Sequence, residues 1–160
     1  MIQERLISGY VIDTSALIDL WRVCYPPDVF QTLWKKNLEE IIRMGLLISP
    51  KEVYRELQQR DDELFNWAKD HKMMFIALDE EQTNQVKIIM SKFRKLTNDE
   101  KTTPDADPFV VSLAMSRAWI VITSERSNPG GKPRIPDVCT HYSVKCIKLL
   151  QFLRERGWKY

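Results

Sequence analysis

Trp119-Ile120-Val121-Ile122-Thr123 is a run of five residues with no charge and no polar alternation. A strand that wets one face alternates apolar with polar residues, whereas a strand covered on both faces is apolar throughout, as in a parallel sheet. Outward from this run the same signature recurs. It appears at Tyr10-Val11-Ile12, at Gly45-Leu46-Leu47-Ile48 with a stop expected at Ser49-Pro50, at Met74-Phe75-Ile76-Ala77-Leu78, and more briefly at Val144-Lys145-Cys146-Ile147.

Helical patterns fill the intervals. Phe30, Leu33, Trp34, Leu38, Ile41 and Ile42 recur at spacings of three and four up to Met44. Ser49 and Glu52 have the spacing of a capping box, with Pro50 in the first turn, so a helix is expected from Ser49 through Val53 and Leu57 to a break near Arg60-Asp61. Further helices are expected from Glu80 to about Leu96, behind Asp107-Pro108, and from about Leu149 to Arg156, with a short one from Ala16 to Trp21. Strands separated by such helices imply right-handed crossovers and an α/β fold, a three-layer α/β/α domain around a central, mainly parallel sheet of four to five strands. A chain of 160 residues suits one domain over its whole length. Two polar loops interrupt the pattern, Thr97 to Pro104 and the Gly/Pro-rich Ser124 to Pro136, and loops beyond about 12 residues in a compact domain are usually functional or mobile.

Hydrophobic residues at 44% and charged residues at 29% exclude collagen-like, low-complexity and wholly disordered chains. No signal peptide is visible, and no uncharged apolar run approaches the roughly 18 residues of a spanning helix, so a cytoplasmic protein without membrane contact is expected. Cys24, Cys139 and Cys146, with His71 and His141, are too few and too scattered for a zinc site and read as packing residues. The net charge of +2 conceals an asymmetry. Residues 1–80 carry 10 Lys and Arg against 14 Asp and Glu, and residues 81–160 carry 14 against 8. An anionic partner for the second half is consistent with this.

Ligands of an open α/β sheet collect at the carboxyl ends of its strands. Four acids fall there: Asp13 after the first strand, Glu56 in the helix after the second, Asp107 opening a helix, and Glu125 after the fourth strand. Converging carboxylates repel unless protons or a cation neutralise them, and a hard oxygen set without His or Cys suits Mg²⁺ or Mn²⁺. Each acid also has an ordinary reading. Asp13 and Asp107 are suitable helix caps, Glu56 a solvated helix residue, and Glu125 a loop acid. Asp105 and Asp137 are additional acids nearby, and loop solvation accounts for them equally well.

In this order the motifs resemble the PIN-domain family of metal-dependent nucleases, best known from VapC-type toxin ribonucleases. Tyr10-Val11-Ile12-Asp13-Thr14-Ser15-Ala16-Leu17-Ile18 is similar to the family's opening strand, first acid and hydroxyl residue. Ser49-Pro50-Lys51-Glu52-Val53-Tyr54-Arg55-Glu56-Leu57 looks like the second motif, and Ala106-Asp107-Pro108-Phe109-Val110-Val111-Ser112-Leu113-Ala114 like the third. Val121-Ile122-Thr123-Ser124-Glu125 occupies the fourth, with Glu125 where the family usually has Asp; this resembles a subgroup of free-standing PIN proteins of unassigned function. The segment from Asn128 to Cys139 is longer and richer in Gly and Pro than in the compact toxins. The resemblance covers about residues 9–153 and implies a PIN-like domain that hydrolyses RNA phosphodiester bonds. It implies Mg²⁺ or Mn²⁺ held by Asp13 and Asp107 with Glu56 and Glu125 completing the shell, and Thr14 or Ser15 holding a carboxylate or the attacking water. It further implies a homodimer and, for a toxin, an antitoxin protein blocking the cleft.

Phosphate binding needs cations, and Arg126, Lys132 and Arg134 sit in the loop after the fourth strand. Pro129-Gly130-Gly131-Lys132-Pro133 lacks the P-loop pattern. The five tryptophans fall mostly on apolar helix or strand positions and read as core or interface, not as base-stacking platforms. Two rivals stand beside the nuclease: a catalytically weak scaffold that binds RNA or a protein, and a receiver-like phosphoacceptor domain. The second lacks paired acids after the first strand and a lysine ending a late one.

Overall fold

The structure, a computed structural model, describes residues 8–94 and 105–160. The strands are β1 (Tyr10–Ile12), β2 (Leu47–Pro50), β3 (Phe75–Ile76), β4 (Ile120–Ile122) and β5 (Cys146–Ile147). They form one sheet in the order β3-β2-β1-β4-β5, and every pairing is parallel. Successive strand residues point to opposite faces. Tyr10, Val11 and Ile12 are all buried, so helices must cover both sides of β1. The expected α/β/α sandwich is therefore the observed fold.

Around the sheet lie α1 (Thr14–Asp19), α2 (Leu38–Arg43), α3 (Lys51–Arg60), α4 (Glu63–Asp70), α5 (Glu80–Lys92), α6 (Asp107–Arg117), α7 (Ile135–His141) and α8 (Leu149–Arg156). Helix α6, apolar along most of its length, packs on β1, β2 and β4, with α5 behind it. Phe152 of α8 meets Tyr10 edge to face with ring centroids 4.8 Å apart. Wide π-helical turns extend α1 (Leu20–Cys24) and precede α2 (Leu33–Asn37). They set Trp21 edge-on to Trp34, and Trp34 edge-on to Trp67, at 4.9 and 5.2 Å, so these tryptophans serve packing as expected.

Several boundaries differ from the expected ones. Strand β2 does not stop at Ser49-Pro50 but includes both, pairing Ser49 with Phe75 and Pro50 with Ile76. Proline is tolerated because it is the strand's last residue and also the N-cap of α3. Nor does Ser49 cap α3: its buried hydroxyl donates across the sheet to the Ile12 carbonyl at 2.6 Å. Past the expected break, Asp62 accepts from the Phe65 amide and starts α4, which the polar Arg60-Asp61-Asp62 stretch had hidden. Ile135-Pro136-Asp137 likewise starts α7, where a loop through Pro136 was expected. Helix α5 ends at Lys92 with Phe93 as its C-cap, short of the expected Leu96; residues 95–96 and the expected Thr97–Pro104 loop lie outside the described residues.

Strand order carries the functional consequence. The chain builds outward from β1 to β2 and β3 on one side, then crosses to β4 and β5 on the other. The carboxyl end of β1 is thus the switch point of the sheet, where parallel α/β domains open a crevice.

Candidate functional site

A cleft of about 440 Å³ opens at that switch point. Asp13, Thr14, Ser15, Glu56, Asp105, Asp107, Glu125, Lys132 and Arg134 line it, with Ile18 and Pro133. The structure brings all four principal acids together. Two of the expected residues stand elsewhere. Arg126 is exposed on the loop and does not line the cleft. Asp137 turns into its own loop, where its carboxylate accepts from Ser127 Oγ, the Asn128 amide and the Arg134 amide. Burial is the largest single influence and pushes its carboxyl up, but these donors and the Arg134 charge together outweigh it and hold the carboxyl below the usual range. Asp137 shapes the segment that carries Lys132 and Arg134 and does not act as a further acid of the cleft.

Asp13 follows β1 directly and is almost wholly buried at 1% exposure. It caps α1 by accepting from the Ala16 amide at 2.8 Å, so the capping role and the cleft position belong to one residue. Ser15 Oγ lies 2.9 Å from both its carboxylate oxygens, and Thr123 Oγ1 donates to Oδ2 at 2.5 Å. Burial pushes its carboxyl up to about 7, while the bonds from Thr123, Ala16 and Ser15 oppose the rise and the Glu125 charge adds to it.

Glu56 sits on α3 two turns from the strand end. Thr14 Oγ1 donates to its Oε2 at 2.6 Å, and the Ala106 amide to its Oε1 at 2.8 Å. That second bond ties α3 to the start of α6. Glu125 accepts from the Ile135 amide at 2.9 Å, which ties the end of β4 to the start of α7. Asp107 is the first residue of α6, not its cap; Ala106 takes the cap position. Among the described residues no side chain or amide donates to the Asp107 carboxylate. Burial pushes it up to about 8, and the charges of Glu125, Asp13, Glu56 and Asp105 push in the same direction.

Hard oxygen donors facing one cavity, one of them half-buried without a donor among the described residues, suit a divalent cation of the Mg²⁺ or Mn²⁺ type. Yet among the described residues no three acids, histidines or cysteines are already gathered as a ligand shell. Asp13, Glu56 and Glu125 are each tethered to protein donors. Asp107 is the acid ready to accept a cation, and the two glutamates would leave their amide partners to join it.

Thr123 is a site residue that the sequence reading passed over. It is fully buried, donates to Asp13 and accepts from the Glu125 amide at 3.0 Å. Parity was the available signal, since Thr123 extends β4 beside the end of β1. The amides of Ala106 and Ile135 left no such trace, because every residue but proline has one.

A family model described as "Domain of unknown function (DUF4411)" matches residues 10–160. No curated protein matches the chain. Among solved structures, the crystal structure of PAE2754 from Pyrobaculum aerophilum is similar at 13% identity and a TM-score of 0.48, covering 94% of this chain and 97% of that one. No helix among the described residues is long and apolar enough to cross a membrane.

Proposed function

We propose that this chain, which belongs to the family described as a domain of unknown function (DUF4411), is a PIN-like, metal-dependent endoribonuclease that hydrolyses RNA phosphodiester bonds. One observation carries the reading: five carboxylates line a single cleft at the switch point of a parallel sheet, and Asp107 among them has no donor among the described residues. Such a cleft gains by taking up a cation.

Asp107 and Asp13 would hold Mg²⁺ or Mn²⁺, with Glu56 and Glu125 completing the shell. When bound, the ion supplies a low-pKa water and charge stabilisation on the phosphate. The remaining tasks fall to the chain itself. Thr123, Ser15 and the Ala16 amide fix the orientation of Asp13, and Thr14 fixes Glu56. Lys132 and Arg134 face the cleft and offer positive charge to substrate phosphates. A toxin role, with an antitoxin segment blocking the cleft of a homodimer, is the biological setting that this reading favours.

The test is cleavage of total cellular RNA with Mg²⁺ or Mn²⁺ and with EDTA, for wild type, Asp13→Asn and Asp107→Asn. Discrete fragments that vanish with chelation and in both variants are expected. Unchanged cleavage in EDTA or in either variant overturns the proposal.

A second reading is a catalytically weak scaffold that binds RNA or a protein. The tethering of Asp13, Glu56 and Glu125 to protein donors favours it. RNA binding without any cleavage in the same experiment would select it.

A further inference from the structure

The acidic cleft poses a problem for the substrate proposed above: five carboxylates repel the phosphates on either side of the bond to be cut. A polyanion is held by cations, and two in the cleft are a thin supply. A second concavity, of about 300 Å³, lies on the other side of α3. Lys51, Tyr54, Arg55, Gln58, Lys72 and Phe75 line it, three cations and two aromatic rings without an acid.

Helix geometry accounts for the arrangement. Lys51, Tyr54, Arg55 and Gln58 repeat at three and four residues and share one face, while Glu56 points about 150° from the centre of that face, into the acidic cleft. The buried Val53 and Leu57 anchor the helix between the two. One helix diameter of about 10 Å therefore separates the groove from the cleft, a span that a few nucleotides of single strand cover.

The rings are held in place. Tyr54 stands edge-on to Phe65 and to Phe75, each at 5.3 Å, and stays partly exposed. Lys72 Nζ lies 5.9 Å from the Tyr54 ring centre. Arg55 contacts Glu52 only loosely, at 3.7 Å, with the Arg55 side chain 54% exposed, so its guanidinium is available. Clustered cations beside a fixed, half-exposed aromatic ring form the usual platform for single-stranded nucleic acid, with phosphates on the cations and a base on the ring.

We infer that this groove binds the single-stranded RNA adjoining the scissile bond, with a base against Tyr54 and phosphates on Lys51, Arg55 and Lys72. The inference takes its ligand from the nuclease reading. Its test is independent of cleavage: fluorescence anisotropy of a labelled oligouridylate of about a dozen nucleotides, in EDTA, across a salt series.

Arg55→Glu with Lys72→Glu should weaken binding at least tenfold and flatten the slope of log affinity against log salt by roughly 1.4 units, about 0.7 for each cation removed. Tyr54→Leu should weaken binding roughly tenfold while leaving that slope unchanged, because stacking releases no counterions. Lys35→Glu, on the exposed surface before α2, should change little, and thermal melts verify that each variant is folded. Equal losses from Lys35→Glu and from the groove pair would overturn the inference, as would full affinity in the groove variants. So would capture of a polyglutamate peptide by the groove with no binding of the oligouridylate, which would assign it to an acidic protein segment. Groove-dependent binding alongside absent cleavage rejects the nuclease and keeps the groove; cleavage with groove-independent binding does the reverse.

Discussion

Thr123 Oγ1, at the end of β4, donates a 2.5 Å hydrogen bond to Asp13 Oδ2, at the end of β1, although 110 positions separate them in the chain. The same hydroxyl oxygen accepts from the Glu125 amide. One buried side chain thus orients the first acid of the cleft and shapes the turn that presents the fourth. Thr123→Val keeps the shape and removes the donor. We expect a loss of about 1–3 kcal/mol in urea unfolding at pH 8, where Asp13 is charged, and a smaller loss near pH 5, where it is protonated. A loss independent of pH would contradict the assigned bond.

The two raised carboxyls give stability a definite pH dependence. Asp13 and Asp107 titrate near 7 and 8 in the folded protein against 3.8 as the ordinary value. Between those values the native state binds more protons than the unfolded state. Stability in EDTA is therefore full below about pH 4 on this account and declines as pH rises through 7 and 8, by a few kcal/mol. Asp107→Asn should flatten this decline and make the protein more stable than wild type at pH 8. Urea melts from pH 5 to 8.5 would show it.

Cation binding should reverse that decline. At pH 8, Mg²⁺ or Mn²⁺ at about a hundred times its dissociation constant stabilises by roughly 2.7 kcal/mol if it binds the folded state alone. A rise in Tm for wild type, absent in Asp107→Asn and matched by no rise with K⁺, is the expected outcome. It can be read by calorimetry without any substrate.

Asp137 makes a contrasting case, since it works on a loop and not on the cation. Asp137→Ala removes the acceptor for Ser127, Asn128 and Arg134 and loosens the segment that presents Lys132, Arg134 and the Ile135 amide. Cleavage should fall roughly tenfold through KM, while the Mg²⁺-dependent rise in Tm persists. Loss of that rise would place Asp137 among the ligands after all.

Packing at the opposite end of the sheet offers a check on the fold alone. A Cβ on Gly9 would lie 2.5 Å from the ring of Trp119. Gly9→Ala should cost about 1–3 kcal/mol, and Trp119→Leu in the same chain should recover part of it.

Local information in the sequence was sufficient for the architecture. Continuous apolar runs such as Ile120-Val121-Ile122 announce strands buried on both faces, and the helical spacings between them force parallel crossovers, because both signals depend on near neighbours. The same logic singled out Asp13, Asp107 and Glu125 from their places beside a strand or helix end, and Glu56 only as an acid within the helix that follows the second strand. What failed was also local: α4 begins in a polar stretch and α7 in a proline-marked one, both of which look like loops, and Ser49 reads as a cap until its hydroxyl finds Ile12 across the sheet.

Charge counted along the chain is too coarse for a related reason. The first half carries the negative excess, yet it supplies Lys51, Arg55 and Lys72 to one groove, because the faces of α3 sort cations from acids. Composition averages over faces that folding separates. By itself the sequence determined the layers, the direction of the strands and the acids at their ends. Tertiary structure decided which acid lacks a donor, which amides of distant helices hold the others, and which cations share a surface, because burial and hydrogen-bond pairing depend on contacts made only after the chain has closed on itself.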